Sequence, residues 1–282
     1  SYSMLLVTLG ACPYENERNY RELFENLDLG GNFSQIVPKE NFWLVNGKNI
    51  NEKIIFVRRD YAPDINHLNQ FVRSLKFPEL TITVVFYKEA VKMTDIFATY
   101  HLLQKYAREH MIFLKNSVLI YSPEGFKPDF TGLREKIDSL ILQCNNMSIN
   151  NITGSFADLL HLFTVRPVTQ KEAVRNIKYF VSELYKVHQG HRGFFEVEED
   201  IQFILENYYT EEELLKEFDF LLKDIFGIEV YDSRDKKIIA VKMKNYLDEK
   251  FRSNVTNQLL AASFGFVPSY LVSIFKACYG MT

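Results

Sequence analysis

The sequence predicts an α+β protein: a mixed strand-and-helix region over residues 1–124, a helical region over 125–232 and a helical C-terminal module over 233–282. Three observations carry this reading. Short apolar runs alternate with amphipathic stretches as far as Tyr121. From Phe130 onward helical periodicity dominates, and two capping boxes open helices there. Residues 255–282 then read as two short helices around a turn punctuated by glycine and proline.

Tyr2 to Leu9 is an apolar-rich run ended by Gly10, as in a strand buried on both faces. Glu15 to Glu25 reads as an amphipathic helix with Tyr20, Leu23 and Phe24 inward. Gly30-Gly31 precedes Asn32, with no Lys-Ser/Thr behind it, so it predicts a turn and not a phosphate-binding loop. Phe42 to Val45 and Ile54 to Val57 are two short strands joined around Asn46-Gly47. A helix from Asp64 to Leu75 follows, with Ile65, Leu68, Phe71, Val72 and Leu75 at helical spacing. Next come a strand at Leu80 to Tyr87, a helix from Met93 to His110 and a strand at Ser117 to Tyr121. The order strand, helix, hairpin, helix, strand, helix, strand predicts a ferredoxin-like palm, of the kind nucleotide cyclases use.

The stretches Thr94 to His101 and Phe113 to Tyr121 sharpen that expectation. They are similar to the middle region of YesN-type response regulators, a degenerate diguanylate-cyclase (GGDEF-like) palm. An active cyclase needs acidic residues at the hairpin and after the first strand, to hold Mg²⁺ against the nucleotide phosphates. Here the hairpin offers Val45-Asn46-Gly47-Lys48-Asn49, and Gly10-Ala11-Cys12-Pro13 follows the first strand. Glu15 and Glu52 lie nearby but occupy neither motif position. The sequence therefore predicts no enzyme, with no catalytic residue, no cofactor and no metal site. His188-x-x-His191 lacks companion ligands, His161 falls within a helical pattern, and no nucleophile motif is visible.

In the helical region, Leu133 to Gln143 and Ser155 to Phe163 read as helices. Thr169 with Glu172 forms a capping box opening a helix to Val187, with Val174, Ile177, Phe180, Val181, Leu184 and Tyr185 on one face. Thr210 with Glu213 opens another, with Leu214, Leu215, Phe218, Leu221 and Leu222 inward. These helices predict either an intramolecular bundle or a connector that pairs with a second copy. A short strand at Ile228 to Tyr231 and a basic helix from Lys237 to Phe251 lead to the C-terminal pair.

In that pair, Thr256 caps the first helix, Leu259, Leu260 and Phe264 form its apolar stripe, and Gly265 ends it. Pro268 opens the second, with Leu271, Ile274 and Phe275 inward and Ser269, Tyr270, Ser273 and Lys276 left for solvent or a duplex. A second helix presented this way is shaped for a major groove. Thr256, Leu260, Ala261, Phe264-Gly265-Phe266, Pro268-Ser269-Tyr270-Leu271, Phe275-Lys276 and Gly280-Met281-Thr282 resemble the first helix-turn-helix of AraC/XylS-family transcription regulators. Val272-Ser273 stands where that family has Ser-Arg, and the family's second motif would lie beyond Thr282.

The formal charge is −3, unevenly spread: residues 233–282 carry eight basic and three acidic side chains, a net +5 against −8 elsewhere. That asymmetry predicts a phosphate-facing surface at the C-terminus. Three widely spaced cysteines suit a reducing cytoplasm, and no run is long enough to span a bilayer. The expected function is a sequence-specific DNA-binding transcription regulator, the output fragment of a two-component system. Ser269, Tyr270, Ser273 and Lys276 would face the groove, with Lys250 and Arg252 on phosphates. The expected partners are promoter DNA and a second copy of the chain; the resemblance adds a sensor histidine kinase acting through a receiver domain absent here. The alternative is a signalling module whose palm binds a small molecule or nucleotide without catalysis.

Overall fold

The computed structural model describes residues 1–10, 20–75, 80–125, 131–145, 152–188, 193–208, 210–226, 233–250, 255–264, 266 and 268–280. The chain divides into two compact units. The first comprises Ser1–Tyr14, Arg18–Phe130 and Phe163–Ala173; the second comprises Glu15–Glu17, Thr131–Leu162 and Val174–Thr282.

The first unit is built on a five-stranded sheet of β1 (Tyr2–Leu9), β2 (Phe42–Asn46), β3 (Glu52–Arg58), β4 (Ile82–Val91) and β5 (Ser117–Ile120), in the order β2-β3-β1-β4-β5. All pairings are antiparallel except β4 with β5. Central β1 is buried along both faces, which is why Met4, Leu5, Leu6 and Val7 run on without polar alternation. Edge strand β2 differs: Trp43, Leu44 and Val45 are all exposed, so both of its faces meet solvent. The helices are α1 (Tyr20–Leu27), α2 (Leu29–Phe33), α3 (Ile65–Ser74) and α4 (Ile96–His110). The element order is the one the periodicity predicts, with α2 added.

Where the sequence predicts a turn at Gly30-Gly31, the structure has the body of α2. Asp28, left-handed at φ 40°, caps it by accepting from the Gly31 N–H at 3.0 Å. A Cβ on Gly31 would lie 2.0 Å from that carboxylate, so the cap needs glycine there. Asp64 caps α3 by accepting from the His67 N–H at 2.9 Å, and Leu68, Phe71 and Val72 face the core while Ile65 stays exposed. Residues 93–95 form a 3₁₀ turn ahead of α4. Met4, Leu6, Val85, Leu103, Tyr106 and Met111 belong to one core cluster, joining β1, β4 and α4.

The second unit is helical among its described residues. α5 (Leu133–Asn145), α6 (Ile152–Val165), α7 (Gln170–His188), α8 (Phe194–Asn207) and α9 (Glu211–Ile225) precede α10 (Ser233–Glu249), α11 (Asn257–Phe264) and α12 (Pro268–Tyr279). Thr169 caps α7 by accepting from the Glu172 N–H, and the reciprocal Thr210–Glu213 capping box opens α9. Ile177, Phe180, Val181 and Leu184 of α7 are fully buried, whereas Val174 and Tyr185 are half-buried. Phe156 stacks on Phe218 with ring centroids 4.2 Å apart, packing α6 on α9. The predicted strand at Ile228 to Tyr231 lies outside the described residues. Among those residues no helix is long and apolar enough to cross a membrane.

Candidate functional site

Two places concentrate chemistry, one in each unit. The C-terminal one is the α11–α12 pair. The Thr256 hydroxyl accepts from the Leu259 N–H at 3.1 Å, so α11 starts where the sequence places its cap. Leu260 and Ala261 of α11, Leu271 of α12 and Met243 of α10 form a buried cluster, with Phe203, Tyr246, Phe264, Phe266 and Phe275 packed around it. Pro268 begins α12, where its missing N–H costs no hydrogen bond. The pair is thus held by its own apolar seam plus α10.

The predicted contact residues do not share one exposed face. Ser273 and Lys276 are exposed; the Ser273 hydroxyl folds back to the Tyr270 carbonyl at 2.8 Å, and no described residue pairs with the Lys276 ammonium. Tyr270, expected to face solvent or a duplex, is instead buried at 7% exposure. Ser269 is half-buried, and its hydroxyl donates to the carboxylate of Asp200 on α8. The reason is a second packing surface. α12 lies against α8 as well as α10, so its covered arc widens from Leu271 and Ile274 to include Tyr270. Lys250 is exposed just past α10, with its ammonium 5.3 Å from the Tyr246 ring centroid. Arg252 lies outside the described residues, as do Gly265, Met281 and Thr282. Lys244 pairs with Asp248 at 2.7 Å, which removes one α10 cation from the open set.

The other place lies between the β2–β3 turn and α4, and sequence reasoning missed it. Glu52, the first residue of β3, is 6% exposed, yet both its oxygens are satisfied. Asn49 Nδ2 donates to it at 2.8 Å, Gln104 Nε2 reaches its two oxygens at 3.0 and 2.9 Å, and the Tyr100 hydroxyl donates to Oε2. Tyr100 in turn accepts from the Lys48 backbone N–H at 2.7 Å. Burial, reinforced by Glu52, pushes the Tyr100 hydroxyl up to about 12, so it stays a proton donor at neutral pH. Gly47 completes the turn; a Cβ there would meet Glu52 Cβ at 2.6 Å.

Over this network opens a cleft of about 380 Å³ lined by Lys48, Asn49, His101, Gln104, Lys105, Arg108 and Glu109. Its size falls at the lower end of small-molecule sites. Gln104 turns its NH₂ toward Glu52, so its carbonyl faces His101 Nδ1 at 3.0 Å and fixes the proton on that nitrogen. The Lys48, Lys105 and Arg108 side chains have no counter-ion among the described residues. Those residues contain no group of three or more His, Cys, Asp or Glu that could hold a metal ion. His188 and Phe226 meet ring to ring at 5.5 Å, while His191 is outside the described residues.

Compared with known proteins, the chain matches no family model, no curated protein and no solved structure.

Proposed function

We propose that this chain is a sequence-specific DNA-binding transcription regulator of the AraC type, the output portion of a two-component response regulator. The observation that supports this most is the α11–α12 pair, with its Thr256 cap, proline-opened second helix and apolar seam on α10. The net +5 of residues 233–282 suits a polyanionic partner. In this reading the β-sheet unit is a ferredoxin-like, degenerate GGDEF-like palm that transmits a signal in the cytoplasm. The helices after it link and pair two copies, because one such motif reads few bases. Promoter DNA, a second copy and a sensor kinase acting through a receiver domain are the partners.

Ser273 and Lys276 form the open part of the reading face. Near the N-terminus of α12, where groove contacts are made, Ser269 is engaged by Asp200 of α8 and Tyr270 is buried. DNA reading therefore requires α12 to leave α8, and the Asp200 carboxylate both occupies Ser269 and repels phosphate. The described state is the silent one.

Fluorescence anisotropy of this chain on labelled promoter DNA from its own locus, against a scrambled duplex and over a salt series, tests the reading. Salt-steep preference for the promoter, weakened by Lys276→Ala with a slope smaller by about one, is the expected result. Equal binding to both duplexes would overturn it. A second reading, a palm that binds a small molecule without turning it over, is favoured by the cleft at Lys48, Lys105 and Arg108.

A further inference from the structure

Resting on that second reading, we infer that the cleft between the β2–β3 turn and α4 is a site for a small oligophosphate anion, held by Lys48, Lys105 and Arg108. Three features of the molecule lead there.

The first is the charge left open. Some helical cations elsewhere in the described chain pair with carboxylates one turn away: Arg21 with Glu25, Lys186 with Glu183, Lys223 with Asp219, Lys244 with Asp248. On α4 the same opportunity exists, since Glu109 follows Lys105 by four residues, yet the two form no ion pair. Three cations from two elements instead border one concavity, leaving its lining at +2 even with Glu109 counted and His101 neutral. All three are solvent-exposed and without a carboxylate partner among the described residues, so an anion entering the concavity meets charge that no internal pair has cancelled.

The second is rigidity. The Lys48 backbone and the Asn49 side chain are tied through Tyr100 and Glu52 to Gln104 on α4, all three being buried. The turn carrying one cation is therefore fixed against the helix carrying the other two, and a ligand bridging them finds the wall already ordered. Glu52 accepts its hydrogen bonds from Asn49, Gln104 and Tyr100, so its oxygens are engaged within the wall and not turned into the cleft.

The third is the chemistry of the lining. All seven lining residues are polar or charged types, which favours a polar, anionic ligand over an acyl chain. Oligophosphate combines multiple charge with many acceptor oxygens, matching the guanidinium fork of Arg108, the two ammonium groups and the Asn49 amide. The phosphates of a nucleotide and free oligophosphate share this chemistry. The ring of Phe97, 70% exposed and 4.3 Å from that of His101, offers a stacking face to a nucleoside if one is attached.

The test is calorimetric titration of the full chain with tripolyphosphate, and separately with GTP, ATP and guanosine, in EDTA. The expected result is one saturable site for tripolyphosphate, weakened at least about ten-fold in the Lys105→Gln/Arg108→Gln variant. Glu109→Gln should tighten it several-fold, a gain that misfolding cannot produce. GTP or ATP binding tighter than tripolyphosphate would assign the natural ligand to nucleotides, and equal affinity would assign it to the phosphates alone; both uphold the site. Absence of saturable binding, binding unchanged in the double variant, or binding lost with Lys250→Gln/Lys276→Gln instead would each overturn the inference. A thermal-shift screen then separates the two ideas. An uncharged metabolite whose stabilisation disappears in the double variant would preserve a ligand-binding palm while ruling out the oligophosphate.

Discussion

Ser269, in the first turn of α12, gives its hydroxyl hydrogen to the carboxylate of Asp200 on α8, a residue only 2% exposed. The contact joins the helix proposed to read DNA to α8, which precedes the C-terminal module. If this contact favours the silent arrangement, loosening it raises the population able to bind. Asp200→Asn should tighten promoter binding by about ten-fold, the scale of one charge-assisted hydrogen bond. The same change should cost about 1–2 kcal/mol of stability, read by urea unfolding. Unchanged or weaker DNA affinity would show that α8 supports the reading helix.

Glu217 on α9 is 3% exposed, its Oε2 has no hydrogen-bond partner among the described residues, and burial raises its carboxyl to about 7. The folded state therefore holds a proton that the unfolded state releases near pH 4.5. Between those values the folded chain binds more protons, so stability falls as pH rises from 4.5 to 7. Glu217→Gln should remove this slope and stabilise the protein at pH 8 by about 2 kcal/mol, visible as a higher Tm. A slope that persists in the variant would assign the pH dependence to other groups.

Tyr100→Phe removes one donor from buried Glu52 and the acceptor for the Lys48 N–H. The expected loss is about 1–3 kcal/mol in chemical denaturation, with the β2–β3 turn exchanging its amide hydrogens faster. A variant as stable as the parent would mean that water replaces the hydroxyl at no cost.

Gly47→Ala tests the same turn by steric means. The new Cβ would sit 2.6 Å from Glu52 Cβ, a position that rotation of the Glu52 side chain cannot clear. The backbone must shift, so destabilisation of about 1–3 kcal/mol is expected, with weakened tripolyphosphate binding alongside it. Gly31→Ala meets only the mobile end of Asp28, and should cost about 1 kcal/mol through the lost cap.

How legible each part was in the sequence follows from the range of its interactions. Strands β1 to β5 and helices α3, α4, α7 and α9 are written in local periodicity and capping residues, and they stand within a few residues of their predicted bounds. Helix α8 was not legible. Gly193 gives it no side-chain cap, and Asp200 occupies a core position where the apolar period should fall. Missing α8 also hid the burial of Tyr270, since periodicity within α12 cannot reveal a second packing partner. Glu52 was visible as an acid near the hairpin. Its donors Tyr100 and Gln104 lie about fifty residues away, however, so the buried network and the cleft above it needed the fold.

The division of the chain carries a practical corollary for anyone dissecting it. Phe163–Ala173 belongs with the β-sheet unit, although the residues on either side belong with the helical one. Within that segment the Val168 carbonyl accepts from the Phe113 N–H at 3.0 Å, and the Gln170 N–H donates to the Met111 carbonyl at 2.8 Å. A single proteolytic nick after Phe130 would therefore not liberate two self-sufficient halves. The N-terminal piece would lack a strap it is hydrogen-bonded to, and the C-terminal piece would carry that strap with Phe163 and Val168 stripped of their cover. Limited digestion at that point should yield fragments that stay together on a sizing column until denaturant is added.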